Sequence, residues 1–433
     1  MRRFVAFALV AVGAMTLVSS AHAVPSFTRQ TGMTCAQCHV MFGAPVPNFT
    51  FTGKKFRMNG YRVPFVTERI EAGQEGAIGG KRLNISLFPY LSLRYQSIFA
   101  TQTKAPGAAK AGPISSNPTS RLAIFTGGPV GDNFGLWTEM YLTPDGSATN
   151  EWTLGLFSLD EFDLRHTRIK HNNVYGLAFS NQGIAEVSGF GPWSPGGSQL
   201  NRGGVNGWSH PNRGQFFAYT WLNDRIFVSA GASPGENNLD WKKMSYLGQA
   251  AYALYNSDAR EAWVNLEWKA GNDGIPIATN TTPNNNRSWN YVAGVTGVPA
   301  LLSTQMQKFF RSTAELRYGF IDRGPHSLEA GASFNVNKEN YTTGDELKQN
   351  SVFGRLRYVH NRTYGSDITI GKQVTYSFNG TKIPTKMSYN TYWTFQPAMN
   401  MILALSYGNS QQLSLGAASV TGWSWTLNVD FLF

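Results

Sequence analysis

The chain has few cysteines, few charged residues and, beyond its first residues, no long apolar run. Its only two cysteines are too few for a zinc site, which usually needs four ligands, and no second Cys/His pair lies nearby. Charged residues make up 15% of the chain and aromatic residues 13%, and the 45 glycines follow no triplet period, a composition that favours β-structure over collagen. No later segment offers the ~20 consecutive apolar residues of a spanning helix, which argues against a helical inner-membrane protein.

The N-terminus has the layout of a secretory signal peptide. Two arginines precede an apolar run, and Ala21-His22-Ala23 supplies the small residues of a cleavage site. We therefore expect export, a signal peptide at residues 1–23 and a mature chain that begins near Val24. Without the two arginines the chain has 35 basic and 26 acidic residues, a formal charge of +9. No nucleic-acid motif accompanies this charge, so no nucleic-acid partner is expected.

Both cysteines lie in Cys35-Ala36-Gln37-Cys38-His39, shortly after the expected cleavage site. Two thiols at this spacing, followed at once by histidine, are the attachment signature of a c-type haem. Each thiol can add to one vinyl group, and the histidine then binds the iron from the proximal side. A redox dithiol, a structural disulfide or half of a zinc site are the alternatives, but a dithiol gives His39 no role. The pattern predicts one covalently bound haem c and single-electron chemistry.

The rest of the chain alternates apolar and polar residues with the two-residue period of β-strands. The last segment ends on an aromatic residue, which resembles the assembly signal of bacterial outer-membrane barrels, and similar alternation occurs at 261–269, 314–320 and 328–336. Six residues form the apolar set of the last segment: Trp423, Trp425, Leu427, Val429, Phe431 and Phe433. One apolar and one polar face suit a wall between lipid and a polar lumen; a soluble β-sandwich is the alternative.

Short and long connections between these strands should alternate, because outer-membrane barrels have short periplasmic turns and long outer loops. The expected short links are Pro129 to Asn133, Leu159-Asp160, Asn181 to Gly183, Asn223-Asp224, Asn256 to Ala259 and Asp322 to Pro325. The expected long connections are 101–120, 191–214, 271–307 and 337–350. We therefore predict a mainly β protein, with a transmembrane antiparallel β-barrel of about 16 to 18 strands over residues 81–433.

A small cytochrome segment and linker at residues 24–80 would precede this barrel. So few residues can hardly cover both faces of a haem, so we expect the barrel wall or mouth to complete the haem pocket and the cytochrome to act as a plug. Aromatic residues of the segment are expected to pack on the haem or within the plug, among them Phe27, Phe56 and Tyr61. Four basic residues could pair with haem propionates, face solvent or contact lumen acids: Lys54, Lys55, Arg57 and Arg62.

The sixth iron ligand is open among several residues: Met33, Met41, Met58 and the remaining histidines. Met33 and Met41 lie too close in sequence to the haem attachment site to reach the opposite haem face easily. Met58 lies far enough along the chain to fold back, and a thioether ligand would raise the haem potential relative to a second imidazole. Met58 is therefore the candidate distal ligand.

Two stretches resemble the N-terminus of the fused monohaem cytochrome-porin family, which includes outer-membrane ferrous-iron oxidases of iron-oxidising bacteria. These stretches are residues 25–39 (PSFTRQTGMTCAQCH) and residues 53–61 (GKKFRMNGY). The resemblance implies that Cys35 and Cys38 hold the haem and that His39 ligates its iron. The other matching residues assigned to haem binding are Phe27, Arg29, Phe56 and Tyr61.

The resemblance also implies a function and a location. Extracellular ferrous iron would donate one electron, and a periplasmic c-type cytochrome would accept it, so that the protein has iron(II) oxidase activity. The barrel would lie in the lipid of the bacterial outer membrane. Two alternatives stay open: a haem conduit for a different extracellular electron donor or acceptor, and a diffusion porin with a structural or gating haem.

Overall fold

A computed structural model describes most of the second half of the chain and parts of the first. The described residues are 26–31, 33, 35–38, 49–62, 77–78, 85–86, 91–142, 153–154, 157–171, 173–180, 215–233, 243–257, 259–272, 306–321, 325–361, 363–398 and 401–432. The predicted signal peptide, His39 and Met41 lie outside them. Three short helices come first: α1 (Ser26–Thr31), α2 (Cys35–Cys38) and α3 (Phe51–Met58). None of the described helices is both long enough and apolar enough to cross a membrane.

Twenty strands follow the helices in the described part of the chain. They are β1 (Ala77–Ile78), β2 (Ile85–Ser86), β3 (Leu91–Lys104), β4 (Ser115–Val130), β5 (Phe134–Leu142), β6 (Thr153–Leu154), β7 (Phe157–Lys170), β8 (Asn173–Ser180), β9 (Gln215–Leu222), β10 (Ile226–Ser233), β11 (Ser245–Asn256), β12 (Arg260–Gly271), β13 (Met306–Ile321), β14 (His326–Tyr341), β15 (Glu346–His360), β16 (Tyr364–Phe378), β17 (Thr381–Lys382), β18 (Ser388–Ala398), β19 (Met401–Ser414) and β20 (Ala417–Leu432).

Sixteen of these strands form a closed antiparallel barrel. Each pairs with its neighbour in sequence, and β20 pairs with β3 to close the ring, with Phe431 opposite Tyr95. The two-residue strands β6 and β17 pair along β7 and β16, while β1 and β2 pair with each other in a separate sheet. This architecture confirms the predicted antiparallel barrel and its strand number.

The wall has a polar inner face and an apolar outer face, as the alternation predicts. In β12, Glu261 and Glu267 are fully buried, whereas Val264 and Leu266 between them are about half exposed. Because successive side chains of a strand point to opposite faces, the buried polar set lines the interior and the exposed apolar set forms the outer surface. A soluble sandwich would have the reverse arrangement, so the sandwich alternative is wrong.

The turns at one end of the barrel are all short, and we call this the short-turn end. Its connections are 131–133, 171–172, 223–225, 257–259, 322–325, 361–363 and 399–400. At the other end, which we call the loop end, the described strands are separated by more residues, among them 105–114, 181–214 and 272–305. Residues 181–214 and 273–305 lie outside the described part of the chain. Since outer-membrane barrels keep their short turns in the periplasm, the short-turn end is the periplasmic one.

Two predicted connections are wrong, and each has a physical reason. Leu159-Asp160 lies inside β7, where Glu139 pairs with Glu161 and Met140 with Leu159, so that Asp160 is the extra residue of a β-bulge. The predicted link at 181–183 lies outside the described residues. The polar stretch 337–350 contains a turn of four residues between the long strands β14 and β15. Strands of this length exceed the ~9–11 residues that cross a membrane, so their polar ends extend beyond it.

Candidate functional site

The helix that carries the two cysteines packs against the start of α3. Cys35 begins α2 and Cys38 ends it. Thr50 caps α3 by accepting a hydrogen bond from the Gly53 N–H, and its own hydroxyl donates to the Gln37 carbonyl at 2.6 Å. The Thr50 N–H donates to the Cys38 carbonyl at 2.9 Å. These bonds fix the end of the cysteine helix on the N-terminus of α3.

Glycine at position 53 permits this close packing. A Cβ atom added there would lie 2.2 Å from the Cys38 carbonyl oxygen, a backbone atom that cannot move aside. The Cys38 side chain is half-buried. Two cysteines and the histidine that follows them in the sequence are the residue types that hold a c-type haem. Among the described residues, no group of three His, Cys, Asp or Glu side chains could hold a metal ion.

A buried ion pair joins α3 to the barrel wall. Lys54 is 1% exposed, and its Nζ contacts the carboxylate of Glu261, which is fully buried at the start of β12. Burial lowers the pKa of the Lys54 ammonium, and the Arg317 charge lowers it further, while the Glu261 carboxylate opposes both. The Lys54 side chain also lies over the Trp263 ring at 5.4 Å. Lys54 therefore contacts a lumen acid, one of the three roles predicted for it.

Glu261 is also the first wall residue of a longer series of buried ion pairs. Its other carboxylate oxygen lies 2.5 Å from Arg317, which is 2.9 Å from Glu329. Glu329 is 3.4 Å from Arg357, which is 3.1 Å from Asp367, and Arg355 contacts the same aspartate. We call this series the ion-pair array: Lys54, Glu261, Arg317, Glu329, Arg357, Asp367 and Arg355. It follows the inner face across five adjacent strands near the short-turn end.

Met58 occupies a second contact between α3 and the wall. Its side chain is fully buried, and its sulfur lies 3.8 Å from Arg165 Nη1. Arg165 also donates to the Arg57 carbonyl at 3.0 Å and pairs with Asp163, while Tyr219 donates to the Met58 carbonyl at 2.9 Å. These bonds satisfy the orphan carbonyls at the end of α3. Met58 therefore faces the wall on a different side of α3 from Gly53.

Three predicted haem-binding aromatic residues meet in one cluster with the wall. The Phe27 ring lies 4.9 Å from Phe56, 5.4 Å from Tyr61 and 5.4 Å from Trp137 of β5. Tyr61 has a φ of 62°, a left-handed conformation that is costly for an aromatic residue. Its hydroxyl donates to Asp163 at 2.6 Å, and burial together with this carboxylate raises the pKa of the phenol. The hydrogen bond and ring packing hold Tyr61 in place.

The end of the helical segment is fixed to the short-turn end of the wall. Arg62 donates to the carbonyls of Gly131 at 3.0 Å and Phe134 at 2.5 Å. Gly60 approaches the wall so closely that a Cβ at Gly135 would lie 2.3 Å from the Gly60 carbonyl oxygen. Lys55 pairs with Asp224, in the turn between β9 and β10, at 2.7 Å. The segment therefore contacts several turns at this end.

Not every predicted site residue can be placed. Cys35 and Arg29 lie in α2 and α1, but their side chains, like the whole of His39, lie outside the described part of the structure. Met33 is described, and its N–H bonds to Thr31 Oγ1 at 3.1 Å. The sequence analysis did not select several wall residues that hold the helices: Trp137, Asp163, Arg165, Tyr219 and Glu261. Charged residues inside alternating strands are the signal that could have found Asp163, Arg165 and Glu261.

Together these features define a class of protein. A closed antiparallel barrel with an apolar outer face and a polar inner face is a bacterial outer-membrane β-barrel, and the protein belongs in that membrane. Helices α1 and α3 contact the inner wall at its short-turn end, and α2 packs on α3.

No family model matches the sequence, and no curated protein matches it. Solved outer-membrane barrels resemble the structure at low sequence identity. An anion-selective porin from Comamonas acidovorans is 12% identical over 79% of this chain and 98% of that chain, with a TM-score of 0.47. The outer-membrane channel DcaP of Acinetobacter baumannii is 12% identical over 79% and 96%, with a TM-score of 0.45. OmpT of Vibrio cholerae is 9% identical over 82% and 100%, with a TM-score of 0.45.

Proposed function

We propose that the protein transfers single electrons across the outer membrane, from extracellular ferrous iron to a periplasmic c-type cytochrome, with a covalently bound haem c as its redox group. The observation that carries this proposal is the docking of the cysteine helix. Cys38 is bonded through its carbonyl to Thr50, and α3 is held in the barrel by the buried Lys54–Glu261 pair. A redox group attached at Cys35 and Cys38 would thus have a fixed position relative to the wall.

The residues of the chain have distinct parts in this proposal. Cys35 and Cys38 would hold the haem through thioether bonds, and His39 would be the proximal iron ligand. The bound haem would supply one-electron chemistry, which side chains alone do not provide. Phe27, Phe56 and Tyr61 would exclude water from its surroundings, because their rings already pack together against the wall.

Burial of the inner face at the short-turn end supports the predicted plug. Glu261 lies on this face and is fully buried, and Lys54 of α3 contacts it. The lining of a barrel of this size would otherwise face an aqueous lumen. A plug at this end favours conduction of electrons over diffusion of solutes.

Met58 is the proposed distal ligand, and the structure sets a condition for it. Its sulfur is held against Arg165 at 3.8 Å, so ligation requires the sulfur to leave this contact. Thioether ligation would raise the haem potential. Changing Met58 to Ala should then lower the reduction potential and alter the low-spin spectrum. An unaltered spectrum would exclude Met58.

A diffusion porin with a structural or gating haem is the second candidate. The closed sixteen-stranded wall with its polar inner face favours it, because water-filled porins have this construction. Small-sugar flux into liposomes containing the holo-protein distinguishes the two candidates. Rapid flux with haem bound would establish the porin and defeat the electron conduit.

The proposed function is tested by stopped-flow reduction of purified holo-protein. Ferrous iron should reduce the oxidised haem within a catalytic cycle time. His39→Ala should abolish this reduction while the barrel still assembles, and His166→Ala is the matched control, since His166 packs on Phe134 of the wall. If another donor reduces the haem and ferrous iron does not, the proposal that ferrous iron is the donor is wrong. If the purified protein has no Soret band, the proposal that it binds haem is wrong.

A further inference from the structure

Two histidines face each other on the outer surface of the barrel at the short-turn end. His326 begins β14, His360 ends β15, and the two residues are directly opposite in the antiparallel register. Side chains two apart on a strand share a face, so His326 lies on the same side as the exposed Leu328, and His360 on the same side as the exposed Tyr358. Both imidazoles therefore lie outside the lumen, apart from the N-terminal helices.

The separation of the two rings is compatible with a shared metal ion. Their centroids are 5.1 Å apart and their planes differ by 42°. Imidazole nitrogens bind Zn²⁺ at about 2.0–2.1 Å, and two rings on one ion then have centres roughly 5 to 6 Å apart. Adjacent strands fix both Cα positions, so little conformational entropy remains to be lost when an ion binds.

Each imidazole has one nitrogen held by a neighbour and one nitrogen available. His326 Nδ1 is 2.6 Å from the Tyr358 hydroxyl, and His360 Nε2 is 3.1 Å from the Asn361 side-chain nitrogen. Among the described residues, neither His326 Nε2 nor His360 Nδ1 has a hydrogen-bond partner. Metal-binding histidines commonly use their second nitrogen for such a bond, which fixes the ring orientation. Tyr358 has this positioning role for His326.

We propose that His326 and His360 form a surface site for a divalent transition-metal ion that prefers imidazole, such as Zn²⁺ or Cu²⁺. Two protein ligands leave the remaining coordination positions to water or to an external ligand. The site opens towards the periplasm, because it lies at the short-turn end. It is independent of the proposed haem, since it uses neither the cysteines nor any residue of α1 to α3.

The test uses the full-length protein in detergent micelles. Added Cu²⁺ should give an electron paramagnetic resonance spectrum with two coordinated imidazoles. Added Zn²⁺ should raise the midpoint of thermal unfolding by a few degrees, because the ion binds the folded barrel in preference to the unfolded chain. His326→Gln and His360→Gln should each remove the two-imidazole spectrum and the thermal shift. His166→Gln, on the wall but away from this pair, should keep both.

A further variant tests the role of Tyr358. Tyr358→Phe should retain both imidazole ligands but weaken the affinity about tenfold, as expected for loss of a group that orients a ligand. Circular dichroism and resistance to protease confirm that each variant has a folded barrel. Absence of Cu²⁺ binding to the wild-type protein would overturn the proposal, as would a two-imidazole spectrum that persists in either His326→Gln or His360→Gln.

Discussion

The ion-pair array and a second charged group on the inner wall differ in where their members come from. The second group, the Arg311 cluster, consists of Arg311, Asn337, Glu339 and Tyr341. In it, Arg311 donates to Glu339 at 3.3 Å and Tyr341 donates to the same carboxylate at 2.6 Å, all from adjacent strands β13 and β14. The ion-pair array also includes Lys54, from α3. Among the described residues, the array therefore includes a residue of the N-terminal helices, whereas all four members of the Arg311 cluster belong to the wall.

The wall residues of the array balance their charges without α3. They comprise three arginines and three carboxylates, and Glu261 keeps its contact with Arg317 when Lys54 is removed. Removing Glu261 has the opposite effect, because it leaves the Lys54 ammonium buried without its carboxylate. The barrel is therefore expected to tolerate loss of the helix contact better than the helix tolerates loss of the wall contact.

The largest effect is expected for Glu261→Gln. Breaking a buried ion pair by removing one partner costs about 3–5 kcal/mol, since the other charge stays desolvated. The free energy of unfolding should fall by this amount in urea titrations of the protein in micelles. Lys54→Met should cost less, because Glu261 retains Arg317.

The double variant Lys54→Met/Glu261→Gln completes a cycle that isolates the coupling between the two residues. It should be more stable than Glu261→Gln alone, since no buried ammonium is left behind. Lys55→Met is the matched control: Lys55 is partly exposed and pairs with Asp224, so its loss should cost at most about 1 kcal/mol. Equal costs of Glu261→Gln in the presence and absence of Lys54 would show that the helix and the array are not coupled.

The contact between Gly60 and Gly135 offers a second test of how the helices are held on the wall, with a smaller expected effect on stability. In Gly135→Ala the new Cβ would lie 2.3 Å from the Gly60 carbonyl oxygen, and overpacking of this kind costs ~1–3 kcal/mol. We expect the helical segment to shift while the barrel stays closed. Hydrogen exchange of the α3 amides should therefore become faster, with little change in β13 to β16.

Gly354→Ala is the control for this variant. Gly354 also lies in a wall strand, but a Cβ there would meet no atom nearer than 4.0 Å. In Gly354→Ala the α3 amides should exchange at the wild-type rate. If both variants exchange alike, the close approach of Gly60 does not hold the segment in place.

The sequence predicts the wall well because lipid-facing and lumen-facing residues alternate within each strand. Glu261, Asn265, Glu267 and Lys269 alternate with apolar residues, so inner and outer faces can be assigned from neighbours alone. Partners across the barrel cannot be assigned in this way. Lys54 and Glu261 are 207 residues apart, and their contact depends on closure of the ring and on where the helix docks. The connection predicted at Leu159-Asp160 is wrong for a related reason: Asp160 is a β-bulge residue, and a bulge depends on the register of the neighbouring strand.

In the candidate site, too, residues close in sequence can be predicted, whereas contacts between distant residues cannot. The spacing of Cys35, Cys38 and His39 predicts haem attachment because the motif is contiguous in sequence. Phe27, Phe56 and Tyr61 are predicted to pack because they are aromatic residues of a small segment, and the structure brings their rings together. Trp137 and Tyr219 have no local signal that links them to the N-terminal helices, because an alternating strand contains many aromatic residues.

The smallest effect is expected at the loop end, in the turn between β14 and β15. Hydrogen bonds from Thr343 and Asn379 lower the pKa of Asp345 below its usual range. A depressed carboxyl pKa stabilises the turn above the pKa of the unfolded chain, and this stabilisation is lost as the pH falls through the folded value. Exchange of the turn amides should accelerate over this acidic range. Asp345→Asn should reduce the dependence and leave the part due to Glu346, whose pKa is lowered by hydrogen bonds from Lys338 and Lys348. The α3 amides should not respond, since this turn lies at the opposite end of the barrel; a parallel response would show that the two ends are coupled.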